Sequence, residues 1–166
     1  TNAKNKIIKL EEPKLVQNNS FEKAIKNRKS TREFSTKKFT IQEISNILWS
    51  ANGFNREDKR TAPTARNSQN MDLYIIIEEG IYKYEPKNNE LHEIQNGNFK
   101  NLAGLQDFAK QAPLTILIVA NYGKLDGVSR NADRDFSLVN TGYISQNIYL
   151  YCSANNLSTV ARGMFN

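Results

Sequence analysis

Apolar residues recur at helical spacing in two segments of the first third of the chain. In the second segment, Thr40 and Glu43 have the spacing of a capping box, in which each side chain accepts a hydrogen bond from the backbone N–H of the other. An apolar stripe with i, i+3, i+4, i+7 spacing follows, formed by Ile44, Ile47, Leu48 and Ala51. We expect this helix to end at Gly53. The first segment predicts a shorter helix, from the candidate N-cap Ser20 to Arg28.

Runs of β-branched and aromatic residues predict a sheet. Residues 73–77 form an apolar run that is too short for a helix and predicts a central strand. Turns at 79–80 and 86–89 connect it to strands at 81–84 and 91–94, so that the three form a meander. A buried strand is predicted at 114–120 and a final short strand at 157–161.

Two further helices complete the pattern. A short one, ending before Pro113, is predicted from Leu102, Leu105, Phe108 and Ala109. After a polar loop at 121–133, a long helix is predicted from Asp135 to Asn155, with an apolar face made of Leu138, Thr141, Ile144, Ser145, Ile148, Tyr149 and Cys152. Its small residues Gly142 and Ser145 favour close packing. This order of helices and strands indicates an α+β fold.

Residues 1–19 are predicted to form an N-terminal arm and residues 20–166 a single domain. The arm is polar, with apolar residues concentrated at Ile7, Ile8 and Leu10. Such an arm must lie against its own domain or a second subunit to be ordered. The 166-residue chain, with 39% hydrophobic and 10% aromatic residues, is long enough for one core.

The net charge of +6 raises the question of nucleic-acid binding. Lys and Arg are spread among Asp and Glu, and the sequence has no zinc-finger, basic-zipper or RNA-stacking pattern. We expect no nucleic-acid partner, because an anionic cofactor or substrate accounts for the charge equally well. No apolar run approaches the roughly 20 residues of a membrane span, so no membrane partner is expected. A cytoplasmic location is expected; because the chain starts at Thr1, export of a mature form stays open.

The sequence offers few reactive side chains. His92 and Cys152 are each the single residue of their type. His92 is predicted to be exposed on a strand and Cys152 to be buried, so neither a catalytic triad nor a thiolate–imidazole pair can be assembled. Metal-ligand spacing and the glycine-rich loops of Rossmann and P-loop sites are missing from the sequence. If the protein is an enzyme, we expect a cofactor to carry the reaction.

The stretch Arg28-Lys29-Ser30-Thr31-Arg32 places two guanidinium groups beside a hydroxyl at the end of the first helix. Guanidinium forks fit phosphate, and a serine hydroxyl or backbone N–H can add a short hydrogen bond. A solvated, charged helix end is the alternative explanation. A second polar, turn-rich stretch at 62–69 lies between a helix and a strand, and the two stretches together suggest a site for a phosphorylated cofactor.

Four motifs in this order resemble those of the FMN-dependent nitroreductase family, over nearly the whole chain after residue 20. They are Arg28-Lys29-Ser30-Thr31-Arg32, Pro63-Thr64-Ala65-Arg66-Asn67-Ser68-Gln69, Gln106 with Ala112-Pro113, and Gly142-x-x-x-Gln146-Asn147 followed by residues 156–163. The segments 48–53 and 82–84 are similar to the branch that includes thiazoline/oxazoline dehydrogenase-like members.

The resemblance implies a mainly antiparallel central sheet flanked by helices and an obligate homodimer with one FMN per subunit at the interface. The implied phosphate, ribityl and pyrimidine contacts are Arg28, Ser30 and Arg32, with Lys29 among them. The implied loop that reaches the partner's FMN contains Pro63, Thr64, Ala65 and Asn67, with Thr64 where Ser is more usual. The implied ring contacts are the side chain of Gln106 and the backbone of Arg162 and Gly163.

By this resemblance the protein takes hydride from NAD(P)H at flavin N5 and reduces a nitroaromatic compound, a quinone or a similar small-molecule acceptor. No catalytic side chain is placed by the sequence. Two alternatives stay open, a thiazoline/oxazoline-type dehydrogenase and a flavin-binding dimer module without turnover. Family members continue past the Gly163 turn with a helix, a strand and a basic residue, so the C-terminal part of the fold is expected to be missing. Either the chain is truncated after Asn166 or FMN binding is weakened.

Overall fold

The computed structural model describes residues 6–14, 20–102, 104–125 and 130–163, without the side chain of Arg130. The strands are β1 (Ile7–Lys9), β2 (Phe54–Arg56), β3 (Lys59–Arg60), β4 (Met71–Ile77), β5 (Gly80–Glu85), β6 (Glu90–Asn96) and β7 (Thr115–Ala120). The helices are α1 (Phe21–Asn27), α2 (Ile41–Asn52), α3 (Asp107–Gln111) and α4 (Arg130–Ala154).

The central sheet is antiparallel, with the strand order β1-β6-β5-β4-β7, and β2 and β3 form a separate hairpin. Strands β4, β5 and β6 are the predicted meander, which is confirmed. The core lies between this sheet and the helices α2 and α4. Its fully buried residues include Leu48 of α2, Ile75 of β4, Leu91 of β6 and Ile144 of α4.

The N-terminal strand lies on its own domain. β1 pairs with β6, and Ile7 lies opposite His92. Beyond the strand, Leu10 is buried, and its N–H donates to the Asn89 carbonyl at 2.8 Å. Residues 6–14 of the predicted arm therefore contact the sheet and helix α2, where the Lys14 N–H donates to Asn46 Oδ1 at 2.8 Å. Residues 1–5 and 15–19 lie outside the described residues.

Helix α2 forms as predicted. The Thr40 hydroxyl accepts from the Glu43 N–H at 3.2 Å, and the Glu43 carboxylate accepts from the Thr40 N–H at 2.7 Å, which confirms the capping box. The helix ends at Gly53, but the φ of Gly53 is −76° rather than left-handed. Glycine is required there for space, because a Cβ would lie 2.5 Å from Cδ1 of Trp49.

Helix α4 begins at Arg130 rather than at Asp135. Ile144 and Cys152 of its predicted apolar face are buried, as expected, but the N-terminal part of the buried face differs from the prediction. Ser137 and Asn140 are buried, whereas Leu138 is 58% exposed. The reason is a buried amide network in which Asn70 donates to Ser137 Oγ at 2.9 Å and accepts from Asn140 at 2.8 Å. Hydrogen bonding satisfies these polar groups, so they occupy positions where apolar residues are usual.

Three shorter predictions are wrong. The predicted helix around Leu102 and Leu105 is split into a 3₁₀ turn (Lys100–Leu102) and α3, and both leucines are exposed, so neither supplies the buried face that would stabilise one helix. Residues 157–161 form no strand, because they lie over α4 rather than in the sheet. The strand predicted to be buried at 114–120 is β7, at the edge of the described sheet, where Val119 is 43% exposed.

Candidate functional site

Tyr149 joins two of the predicted site segments on the C-terminal half of α4. Its hydroxyl lies 2.8 Å from Ser30 Oγ and also accepts from the Ala161 N–H at 2.8 Å. The Arg28 guanidinium carbon lies 5.3 Å from the centroid of the Tyr149 ring, within cation–π distance. One tyrosine therefore holds the segment after α1 and the segment after α4 together.

The backbone adds further links between the same elements. The Thr31 N–H donates to the Thr159 carbonyl at 2.9 Å. One turn further along α4, Ser153 Oγ donates to the Ala24 carbonyl at 2.7 Å and anchors α1. Arg28 is the C-cap residue of α1. The predicted anion-binding stretch therefore begins where α1 packs against α4.

Arg32 extends from the same stretch towards α3. Its guanidinium carbon lies 5.8 Å from the centroid of the Phe108 ring. Gln106 is the N-cap residue of α3, and its side chain makes no capping hydrogen bond, so its amide is not committed to the helix. Arg32 therefore contacts the helix that Gln106 caps.

Arg162 packs against the backbone at Gly104. A Cβ built on Gly104 would lie 1.5 Å from one terminal nitrogen of Arg162, so glycine is the residue that leaves room for the guanidinium. Burial lowers the pKa of Arg162 from its usual value. Gly163, by contrast, is exposed and has open space around its α-carbon.

Arg28, Lys29 and Arg32 form an exposed cluster of positive charge, named here the cationic cluster. None of the three forms an ion pair with a carboxylate among the described residues. Cations that form no ion pair, on both sides of Ser30 in the chain, are a donor set that suits a phosphate group. The residues present thus fit a phosphorylated flavin such as FMN.

The second predicted site segment, residues 63–67, folds against the β2–β3 hairpin instead. Thr64 Oγ1 accepts from the Gln69 N–H at 3.0 Å, and the Asn67 amide donates to the Asp58 carbonyl at 3.0 Å. A 3₁₀ turn (Ala65–Asn67) places Arg66 and Asn67 at φ values of 55° and 54°. Pro63 is exposed at the start of this loop.

The two predicted sets of cofactor contacts do not meet within one subunit. The 63–67 loop leads to Asn70, which bonds to Ser137 near the start of α4, whereas Ser30 bonds to Tyr149 near its end. These anchor points are about 18 Å apart along the helix axis, at about 1.5 Å per residue. The two sets of predicted contacts are thus anchored at different ends of α4.

Other candidate groups lie outside this site. Burial raises the pKa of the Cys152 thiol to about 12, which confirms Cys152 as a buried core residue. His92 is on β6, with Nε2 3.0 Å from the Glu90 carboxylate. In the described part of the chain, no cluster of three or more His, Cys, Asp or Glu could hold a metal ion. Of the helices described, none is both long and apolar enough to span a bilayer.

Sequence reasoning missed three residues of this site. Tyr149 was assigned to the packed face of α4, because nothing local indicates a contact across 119 positions. Phe108 was assigned to a helix face. Gly104 did have a signal: it interrupts the helical pattern between Leu102 and Leu105, and an internal glycine often marks a close approach of other atoms to the backbone.

Known proteins place this fold in a family. A model of the nitroreductase family matches residues 25–166. A relative from Methanocaldococcus jannaschii, named as a candidate nitroreductase, is 34% identical over 151 residues, covering 83% of this chain and 75% of the relative. The solved structure of a candidate nitroreductase from Ralstonia eutropha superposes with a TM-score of 0.89 at 32% identity, covering 96% of this chain and 77% of that one.

Two more distant structures share the fold alone. A candidate nitroreductase from Anabaena variabilis has a TM-score of 0.79 at 21% identity, covering 97% of this chain and 36% of that one. A chain of the E. coli microcin synthetase McbBCD complex has a TM-score of 0.68 at 19% identity, covering 92% of this chain and 65% of that one.

The chain belongs to the nitroreductase family. The family resemblance and the α+β fold with an antiparallel sheet flanked by helices, both predicted from the sequence, are confirmed. Membership indicates a flavin-dependent oxidoreductase. The placement near thiazoline/oxazoline dehydrogenase-like members stays a prediction.

Proposed function

We propose that the protein is an FMN-dependent oxidoreductase that takes hydride from NAD(P)H and reduces a small acceptor such as a nitroaromatic compound or a quinone. The observation that supports this most directly is the cationic cluster around Ser30, on a chain of this family. A solvated helix end accounts for exposed charge. It does not account for a serine hydroxyl that is held in place by a tyrosine 119 residues away.

Bound FMN supplies the hydride chemistry. The residues of this chain bind and orient it: the cationic cluster and Ser30 would hold the phosphate side, while Gln106 and the backbone at Arg162 and Gly163 would contact the ring. Fixed positive charge close to the ring favours a form of the cofactor that carries negative charge. Arg32 and Arg162 carry guanidinium groups that could supply this charge.

We further propose that the complete site is built by two subunits. The loop at 63–67 carries four of the predicted cofactor contacts yet lies about 18 Å along α4 from the other set, at about 1.5 Å per residue. A second copy related by a two-fold axis would bring its loop to the cationic cluster of the first copy. Because a two-fold interface is reciprocal, the loop of the first copy would then reach the cationic cluster of the second.

A surface for this contact exists on α4. Phe136, Val139 and Tyr143 are 40%, 52% and 47% exposed and follow i, i+3, i+7 spacing, so they form a second apolar stripe, named here the outer stripe. Gly142 beside it has open space around its α-carbon within one chain. A small residue flanked by exposed apolar side chains allows close helix contact with a second copy.

The experiment is an FMN titration of the purified protein followed by visible spectroscopy under anaerobic conditions. We expect absorption bands near about 370 and 450 nm to stay with the protein and to bleach when NADH or NADPH is added. The paired variant Arg28→Ala/Arg32→Ala is expected to weaken FMN binding at least about tenfold, because each lost charge-assisted hydrogen bond is worth a factor of this order.

Two results separate the parts of this proposal. Retention of FMN without bleaching by either nicotinamide would contradict the oxidoreductase activity and support a binding module. Equal FMN affinity of the wild type and the paired variant would contradict the placement of the phosphate at the cationic cluster.

A further inference from the structure

The Tyr149 hydroxyl is hydrogen-bonded on both sides. The Ala161 N–H can only donate, so in that contact the Tyr149 oxygen accepts at 2.8 Å. The hydroxyl proton of Tyr149 is then available for the second contact, in which Ser30 Oγ also lies at 2.8 Å. When Tyr149 donates to Ser30, the Ser30 proton is directed to a further acceptor.

That acceptor is identified by the surroundings of Ser30. Arg28 and Arg32 lie on either side of it in the chain, and neither forms an ion pair with a described carboxylate. A phosphate offers only acceptor oxygens at its charged face and requires every neighbour to donate. A serine hydroxyl can rotate and donate to any nearby acceptor. A donor at its oxygen, which the Tyr149 hydroxyl is placed to be, directs the Ser30 proton away from Tyr149 and towards the phosphate.

We propose that Tyr149 is a positioning residue for the cofactor phosphate. Ala161 N–H, Tyr149 O–H and Ser30 O–H form a chain of donors that ends on a phosphate oxygen. Such chains polarise each other, so the last donor becomes stronger than an isolated serine. The inference rests on the proposed FMN function but concerns a residue outside the predicted contact set.

The same geometry couples two parts of the site. Ala161 immediately precedes Arg162, whose guanidinium packs at Gly104. The Tyr149 hydroxyl thus contacts both Ser30 and the start of the 161–163 turn. The turn is held in addition by the Thr31–Thr159 backbone hydrogen bond and by Arg162 at Gly104, so it is expected to keep its place without the hydroxyl. Loss of that hydroxyl affects phosphate binding first, because the Tyr149 ring and its contact with Arg28 remain in a phenylalanine variant.

The test compares FMN with riboflavin, which lacks the phosphate, in fluorescence-quenching titrations of the wild type, Tyr149→Phe, Ser30→Ala and the double variant. We expect Tyr149→Phe to weaken FMN binding about tenfold while riboflavin binding changes less than about twofold, because the charge-assisted hydrogen bond from Ser30 to the phosphate is no longer oriented. The double variant should bind FMN about as weakly as Ser30→Ala, since Tyr149 acts through Ser30. The matched control is Tyr122→Phe, a tyrosine that is 53% exposed.

The outcomes are distinct. Equal weakening of FMN and riboflavin, or additive effects in the double variant, would overturn the positioning role and leave the proposed function intact. If the wild type binds neither flavin, the proposed function fails and this inference fails with it. Melting temperatures of all variants are measured alongside, and a Tyr149→Phe variant that melts like the wild type but loses FMN selectivity supports the proposal.

Discussion

At the scale of single residues, Gly104 shows how a position without a side chain can define a site. The space that a Cβ would fill holds a terminal nitrogen of Arg162. Because the obstructing atom is the far end of a flexible side chain, a methyl group at Gly104 is expected to displace the guanidinium rather than the backbone.

We predict that Gly104→Ala weakens FMN binding between about threefold and tenfold, since a displaced guanidinium moves its positive charge away from the proposed position of the ring. The melting temperature should change by only a few degrees. The control is the same substitution in an Arg162→Ala background, where no guanidinium remains to be displaced. If Gly104→Ala weakens binding equally in that background, the effect does not pass through Arg162.

At the scale of elements, Asp72 on β4 ties two neighbouring segments to the sheet. Its carboxylate, 12% exposed, bonds to Lys83 of β5 at 3.2 Å and to Lys124 of the 3₁₀ turn after β7 at 2.9 Å. Burial alone would raise the pKa of Asp72, but the hydrogen bonds and charges of Lys124 and Lys83 outweigh it and hold the pKa below its usual value.

The sign of the pH dependence follows from that direction. Because the folded state binds the Asp72 proton less tightly than the unfolded chain, the stabilisation is complete above the unfolded pKa of about 3.9. It is lost as the pH falls through the lower folded value.

Asp72→Asn is therefore expected to reduce the free energy of unfolding by about 1 to 3 kcal/mol at pH 7 and by less at pH 3. Urea denaturation of the wild type and the variant at both pH values measures this difference in the free energy of unfolding. Asp107→Asn is the control, since its carboxylate is 92% exposed and should contribute little at either pH. The same loss at both pH values for Asp72→Asn would show that its charge is not what stabilises the fold.

The elements also show what can be predicted from sequence. Helix α2 is local in origin: Thr40, Glu43 and the apolar spacing lie within one segment, so both its start and its buried face were predicted correctly. The buried face of α4 depends on Asn70, far away in the sequence, which accepts from and donates to Asn140 and Ser137. Apolar spacing cannot identify the part of a buried face, here Ser137 and Asn140, that hydrogen bonds with a distant amide hold in place.

At the candidate site, too, local features could be predicted from the sequence and long-range contacts could not. The cationic cluster could be identified because its residues lie within five positions of one another in the chain. Tyr149 and Gly104 could not be assigned a role, because each acts on a segment that folding alone brings near.

At the scale of the whole molecule, the outer stripe of α4 is expected to be the contact between two copies. Val139→Glu would place a charge at the centre of that contact, and burying an unpaired charge is costly. We predict a shift from dimer to monomer in sedimentation equilibrium, together with weaker FMN binding. Ile94→Glu, which adds the same charge at a position 50% exposed on β6, should leave the dimer unchanged. A Val139→Glu protein that remains dimeric would place the interface elsewhere.

The loop of one subunit is expected to complete the cationic cluster of the other. This is tested by mixing two variants, one with Arg28→Ala/Arg32→Ala and one with Thr64→Ala/Asn67→Ala in the loop. Each is expected to bind FMN at least about tenfold more weakly than the wild type, and FMN is supplied at a concentration that fills only intact sites. Random reassortment at equal amounts makes half of the dimers mixed, and each mixed dimer contains one intact site. We predict FMN binding at about one quarter of all sites after mixing and reassortment. No recovery of binding, with mixed dimers shown to be present by differential tagging, would contradict a site shared between subunits.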